Sequence, residues 1–175
     1  MKPVIPVFFA TDNNYAPFVA VTLESILENC SKDYFYHFHV LTTDLDKKYE
    51  EAIAKYESEN VKIEFISLRN ILTKIKVRFH LRDYYSIETY YRFFIANMYP
   101  QYDKVLYMDC DIVVLGDIAE LYNNDISNLY LAASPEEVMP EVKVFGDYVE
   151  KALDVPVPEY FNAGIMVMNL AEFRK

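Results

Sequence analysis

Residues Val4 to Phe9 read VIPVFF, an apolar run with no polar break. A strand that is apolar on both sides needs cover on both faces. This restricts it to the inside of a sheet sandwiched between other layers. The segments that follow repeat the same demand. After the loop TDNNYAP, Val19, Leu23, Ile26, Leu27 and Cys30 recur at helical spacing, which predicts a helix from about Pro17 to Asn29. YHFHVLTTD reads as the next strand, and Asp46 to Glu59 as a charged, exposed helix. In VKIEFI, Val61, Ile63 and Phe65 alternate with Lys62 and Glu64, so that strand has one wet or lightly covered face.

SIETYYRFFIANMYP predicts a second helix, with Ser86 as its cap, Glu88 in its first turn and Pro100 beyond its end. Its apolar stripe is Ile87, Tyr91, Phe94, Ile95 and Met98. KVLYMD, YLAAS and FNAGIMVMNL supply three more strands. Strands alternating with helices over 175 residues, 53 % of them hydrophobic, indicate one α/β layered domain with a largely parallel sheet. Ligands of such sheets sit beyond the carboxyl ends of the strands, where both TDNN and DCD are expected.

The acids in DKVLYMDCDIVVLGD raise the chemical question. Asp109 ends an apolar strand and Asp111 follows two residues later. Like charges this close repel unless a cation lies between them or they share a proton. Side chains two apart on an extended strand point the same way, so the pair can reach one ion together if the backbone stays extended. Hard oxygen donors suit Mg²⁺ or Mn²⁺, whose remaining coordination positions water and substrate phosphates fill. The plainer reading of an isolated Asp-x-Asp is a solvated turn. The spelling VLYMDCDIV also matches haloacid dehalogenase-type phosphatases, with Asp109 as nucleophile and Asp111 as acid and base. That motif normally lies on the first strand of its domain, whereas most of this chain precedes Asp109.

Other chemistries find less footing. Three glycines leave no Gly-rich dinucleotide loop and no P-loop. A formal net charge of -10 disfavours binding to nucleic acid or anionic membranes. The two cysteines, Cys30 and Cys110, suggest no disulfide framework and point to a reducing, cytoplasmic setting. The N-terminal apolar run is broken by Pro3 and Pro6, too short for a signal peptide, and no run is long enough to span a bilayer. His37 and His39 could form a metal pair, but ordinary polar lining of one strand face is the plainer expectation. In the TDNN loop, Thr11, Asp12, Asn13 and Asn14 can read the hydrogen-bonding edge of a base or simply cap the helix. Arg92, mid-helix among apolar neighbours, either snorkels, pairs with an acid or reaches a diphosphate.

In their order and spacing, FFATDNNYAPFVAVTLESI, FHVLTTDL, ETYYRFFIANMYPQYDKVLYMDCDIVVLGDIAELY and YFNAGIMVMNL resemble glycosyltransferase family 8, which includes lipopolysaccharide galactosyl- and glucosyltransferases and glycogenin. The resemblance implies a GT-A fold and a retaining transfer of glucose or galactose from UDP-glucose or UDP-galactose to a glycan or lipopolysaccharide acceptor. It implies Mn²⁺, or Mg²⁺ in its place, held by Asp109 and Asp111, which are also the implied catalytic residues. It places Ala10, Thr11, Asp12 and Asn14 around the uridine, the Cys110 backbone near the ribose and Arg92 near the donor. Asn162, with Ala163 and Gly164, falls near the donor sugar and the acceptor. Glu136 falls near a position where relatives often carry Asp.

Relatives carry a later acidic motif and an HxxGxxKPW-type motif, which supply a histidine metal ligand and a diphosphate-binding lysine. Neither occurs before Lys175, and the last histidine is His80. Residues 1–175 are therefore expected to be a single catalytic-type domain without its C-terminal part. The alternative function is a catalytically weak UDP-sugar-binding protein of the same family.

Overall fold

The computed structural model describes residues 2–73, 87–138 and 141–175. The apolar run near the N-terminus forms strand β1, Val4–Ala10, at the centre of a six-stranded sheet. The other strands are β2 (Phe35–Thr42), β3 (Val61–Ser67), β4 (Lys104–Met108), β5 (Leu131–Pro135) and β6 (Phe161–Asn169). Their spatial order is β3-β2-β1-β4-β6-β5. Strands β1 to β4 run parallel, while β6 pairs antiparallel with both β4 and β5. The sheet is thus mostly parallel, as the strand–helix alternation predicts.

Period-two alternation divides the core between two faces. Val7, Phe9, Phe38, Val40, Leu106 and Met108 pack on one side with Val19, Leu23 and Ile26. Those last three lie on helix α1, Ala16–Asn29. Phe8, Leu41, Val105, Tyr107, Met166 and Met168 pack on the other with Tyr91, Ile95 and Leu170. Because β1 contributes apolar side chains to both clusters, its run contains no polar residue.

Helix α1 matches its sequence pattern, whereas the other two predicted helices are shorter than theirs. The charged segment after Asp46 forms α2 only over Lys47–Ile53, with a 3-10 turn at Ala54–Tyr56. Glu57 then leaves the helix and its carboxylate accepts the Ile63 backbone N–H at 3.0 Å. Short helices α3 (Arg69–Leu72) and α4 (Ile95–Met98) follow. Beyond β4 come α5 (Ile118–Tyr122), α6 (Lys143–Ala152) and α7 (Leu170–Phe173), none of which the sequence pattern singled out.

The second predicted helix is a 3-10 segment over Ile87–Phe94 that becomes α-helical only at α4. Thr89, Tyr90, Tyr91, Phe93 and Phe94 are all weak helix formers. Residues three apart eclipse one another in a 3-10 turn. This aligns Glu88 with Tyr91, whose hydroxyl donates to the carboxylate at 3.3 Å. It also aligns Thr89 with Arg92, whose Nε donates to the Thr89 carbonyl at 2.9 Å. Tyr91 and Arg92 are buried while Phe93 is exposed. Ser86, expected to cap this segment, and His80 lie outside the described residues. No helix among the described residues is long and apolar enough to cross a membrane.

Candidate active site

Chain order reverses between β1 and β4, which are parallel neighbours at the centre of the sheet. A cleft of about 190 Å³ opens at their carboxyl ends, the usual ligand position in an α/β sheet. Ala10, Thr11, Asp12 and Tyr15 line it from the β1 side, and Tyr107, Asp109, Cys110 and Asp111 from the β4 side. Glu88, Thr89 and Arg92 close it from the 3-10 segment.

Strand β4 stops at Met108, and the backbone bends at Cys110 and Asp111. Asp109 and Asp111 therefore reach the same cleft across a bend rather than along an extended strand. Polar residues on one side of α1 hold that bend. The Thr22 hydroxyl lies 2.7 Å from the Cys110 carbonyl and 2.8 Å from that of Ile112. The Ser25 hydroxyl accepts the Val114 N–H at 3.0 Å, and the Asn29 amide donates to the Val114 carbonyl at 3.0 Å. A strand-shaped segment would have satisfied these groups in a ladder. Here a helix satisfies them, so their positions are fixed without pairing. Thr22 and Ser25 are buried, although the apolar stripe of the sequence did not include them.

Among the described residues, Arg92 is the cation lining the cleft. Its side chain is 10 % exposed, and its guanidinium lies 4.2 Å over the Tyr107 ring. One Nη donates to the Ala163 carbonyl at 2.5 Å, the other to Asp109 Oδ1 at 3.3 Å. Burial pushes the Asp109 carboxyl above its ordinary range, the Arg92 charge pulls it back, and Asp111 pushes it up again. Burial likewise pushes the Cys110 thiol up to about 12, so this cysteine is an inert packing group. Its carbonyl is already engaged by Thr22 and its Sγ lies 3.5 Å from the Ala10 carbonyl.

The start of β6 is stitched to the same point. The Asp109 N–H donates to the Gly164 carbonyl at 2.6 Å. A Cβ on Gly164 would lie 2.9 Å from Asp109 Oδ2, so only glycine lets the strand approach this closely. Gly164 N–H donates to Asn162 Oδ1 at 2.8 Å, and the Asn162 amide donates to Glu136 Oε2 at 3.1 Å. Glu136 and Asn162 line a second depression, bordered by Ser134 and Ile165.

The TDNN loop is organised by Asp12. Its Oδ1 accepts the backbone N–H groups of Asn14 and Tyr15, each at 2.9 Å, and its Oδ2 accepts the Asn14 amide at 3.0 Å. Asn14 does not line the cleft, because its side chain turns back onto Asp12. Asn13 ties the loop to the start of α2, accepting the Asp46 N–H at 2.8 Å. Four cleft residues escaped the sequence reading: Tyr15, Glu88, Thr89 and Tyr107. Tyr107 was recoverable, since it sits two residues before Asp109 on the same strand. Tyr15 adjoins the TDNN tetrad and presents a half-exposed ring. Glu88 and Thr89 reach the cleft only through the 3-10 turn.

Known proteins resemble this chain in sequence and in fold. The sequence is 27 % identical over 170 residues to the lipopolysaccharide 1,2-glucosyltransferase of Escherichia coli, covering 97 % of this chain and 48 % of that protein. It is 25 % identical over 170 residues to the lipopolysaccharide 1,3-galactosyltransferase of Salmonella typhimurium, covering 93 % and 47 %. Among solved structures, the bifunctional glycosyltransferase WbbM superposes with a TM-score of 0.86 at 30 % identity, covering 99 % of this chain and 33 % of WbbM. Galactosyltransferase LgtC, solved with donor and acceptor sugar analogues, gives 0.79 at 26 % identity, covering 97 % and 59 %. The chain spans about half the length of the curated relatives it matches. These structural neighbours are GT-A glycosyltransferases, and the sheet and its flanking helices are of that fold. The family description "Glycosyl transferase family 8" matches residues 6–175, so the chain belongs to glycosyltransferase family 8.

Proposed function

We propose that this chain binds a UDP-hexose, UDP-glucose or UDP-galactose, in the cleft between β1 and β4, and takes part in transferring the hexose with retention to a glycan or lipopolysaccharide acceptor. The observation that carries the reading is the charge of the cleft. Among the described residues, four carboxylates, Asp12, Glu88, Asp109 and Asp111, line it against one guanidinium, that of Arg92. A cation between these carboxylates and a diphosphate would relieve their mutual repulsion. Asp109 and Asp111 present hard oxygen donors to one space, a fit for Mn²⁺ or Mg²⁺. When bound there, the ion supplies Lewis-acid stabilisation of the departing UDP.

The residues of the chain divide the remaining work. Arg92 holds one Asp109 oxygen, leaving the other toward Gly164 and the cleft. The Tyr15 ring offers a stacking face for the base. Ala10, Thr11 and Asp12 shape the base pocket, and Asn14 supports it indirectly by bracing Asp12. Asn162 and Glu136, already hydrogen-bonded to each other, are placed to meet sugar hydroxyls beside the diphosphate site. Membership in family 8 leaves the phosphatase reading without support.

A thermal-unfolding series with UDP, Mn²⁺ and both together tests the proposal. Ligand at about one hundred times its Kd should add about 2.7 kcal/mol. The expected result is a rise that needs both components, followed by discrimination between UDP-glucose and UDP-galactose. A midpoint that saturating UDP and Mn²⁺ leave unmoved would overturn it.

Gly164→Ala probes the geometry separately. The added Cβ would lie 2.9 Å from both Asp109 Oδ2 and Asn162 Oδ1, so it must displace two side-chain ends, the first partly and the second largely solvated. Unfolding stability is expected to change by less than about 1 kcal/mol, because a single methyl meets two movable side chains. Mn²⁺-dependent UDP affinity is expected to fall about tenfold, within the range seen when the orientation of a metal ligand is disturbed. Calorimetric titration of both proteins gives the comparison.

A further inference from the structure

A second cluster of ligating groups lies away from the cleft, across β2 and β3. The register sets His37 opposite Lys62 and His39 opposite Glu64, all on one face of the sheet. His37 Nε2 lies 3.3 Å and His39 Nδ1 3.6 Å from the same oxygen, Glu64 Oε2. Both of these nitrogens are buried and have no hydrogen-bond partner. The opposite nitrogens converge on one hydroxyl: Tyr102 Oη lies 2.9 Å from His37 Nδ1 and 3.3 Å from His39 Nε2. Lys62 engages the other Glu64 oxygen, leaving Oε2 to face the imidazoles.

Counting protons shows what this arrangement lacks. At neutral pH an unperturbed imidazole is mostly neutral and carries one N–H. If both rings donate to the Tyr102 oxygen, two bare nitrogen lone pairs face a carboxylate. If one ring turns its N–H to Glu64, its other nitrogen takes the single Tyr102 proton, and the second ring still leaves a nitrogen unsatisfied. No assignment of neutral rings satisfies all four nitrogens. One added proton can also satisfy all four, but it places a charge on a largely buried ring; a metal cation at the centre satisfies them with both rings neutral, because both lone pairs bind it and both distal N–H groups donate to the two lone pairs of Tyr102.

We propose that His37, His39 and Glu64 form a zinc site, with Tyr102 orienting both imidazoles, that staples edge strand β3 to β2. Two imidazole nitrogens and one carboxylate oxygen form a recurrent zinc donor set, unlike the all-oxygen pair of the cleft. Zinc bonds of roughly 2.0–2.2 Å in a tetrahedron set ligand atoms about 3.3 Å apart. The three donor atoms already lie within 4.8 Å of one another, so small side-chain rotations close the site. Phe8 stacks on His39 at 4.5 Å and shields one side. The Glu64 side chain, 38 % exposed, leaves an entry path and room for a water in the fourth position. A hydrogen bond to the distal nitrogen of each ligating histidine is the usual support of such a site. This site does not depend on the proposed UDP-sugar reading.

The test uses the untagged chain carrying Asp109→Ala and Asp111→Ala, so that the cleft offers no carboxylate pair. Zn²⁺ is titrated against a chromophoric chelator and the thermal midpoint is followed. One bound equivalent with a dissociation constant in the micromolar range or tighter, and a raised midpoint, are expected. Glu64→Gln, on the partly exposed edge strand, and His37→Gln should each weaken binding at least tenfold while the metal-free midpoint confirms folding. Tyr102→Phe should still bind zinc, but about tenfold more weakly, within the range for such supporting groups. No binding at about 100 μM Zn²⁺, or equal binding by the Glu64→Gln and His37→Gln variants, would overturn the proposal.

Discussion

Asp109→Ala is expected to abolish Mn²⁺-dependent UDP binding while leaving the protein folded. Groups that merely orient a metal ligand change affinity 10- to 100-fold, so removing a proposed ligand should cost more than about a hundredfold. Stability should move by less than about 1 kcal/mol, because the Asp109 side chain is 41 % exposed and its contact with Arg92 is a long 3.3 Å. The chain also gains by no longer burying a carboxylate beside Asp111. UDP titrations with and without Mn²⁺, read beside the urea midpoint, separate these effects. Mn²⁺-dependent affinity within threefold of the parent would contradict the proposed role of Asp109.

Arg92→Met should instead act on stability as well as on binding. The guanidinium is buried and serves the Thr89 carbonyl, the Ala163 carbonyl and Asp109 while lying over Tyr107. Methionine preserves much of the volume but leaves two carbonyls and a carboxylate without their donor. Orphaned buried acceptors cost about 1–3 kcal/mol each when no water replaces the partner. Ala163 is exposed and Asp109 partly so, and with both discounted a loss of about 1–3 kcal/mol is expected. For a domain of this size that lowers the melting midpoint by roughly 3–10 °C. Arg92→Lys should recover only part, since an ammonium cannot serve three separated acceptors in a planar fork. A midpoint for Arg92→Met within 1 °C of the parent would show that the guanidinium does not hold β6 to the cleft.

Both substitutions bear on one structural device. The start of β6 carries Ala163 and Gly164 to the end of β4 through the antiparallel pairing of these strands. Arg92 and the Asp109 N–H then anchor to consecutive carbonyls of that segment. The Asp109 backbone is thus held by β6 and one carboxylate oxygen by Arg92, elements far apart in sequence. Such convergence limits the freedom of Asp109 before any ligand arrives.

The parts of this molecule legible in the sequence were those governed by local periodicity. The apolar run of Val4–Phe9 required a central strand, and its place in the sheet follows from having to be covered on both faces. The spacing in α1, the alternation in β3 and the family motifs around Asp109 are likewise short-range patterns. What they could not report is how one segment satisfies the backbone of another. Thr22 and Ser25 lie outside the apolar stripe of α1, yet they fix the bend that carries Asp111. The aromatic segment around Arg92 has a helical stripe in sequence but folds as a 3-10 turn, which brings Glu88 and Thr89 into the cleft. Asn14 sits in the TDNN motif and still turns away from the cleft, because Asp12 is a nearer partner.

The pair His37 and His39 marks the boundary most sharply. Their spacing determines that they share a strand face, and the sequence alone leaves a metal pair as the less plain alternative to ordinary polar lining. Register with β3 and the approach of Tyr102 decide that four ring nitrogens meet one carboxylate oxygen and one hydroxyl. Periodicity thus determined which residues lie on each face, because it depends only on backbone geometry within an element. Tertiary structure decided which polar groups meet, because hydrogen-bond and charge partners are chosen by proximity in space and not along the chain.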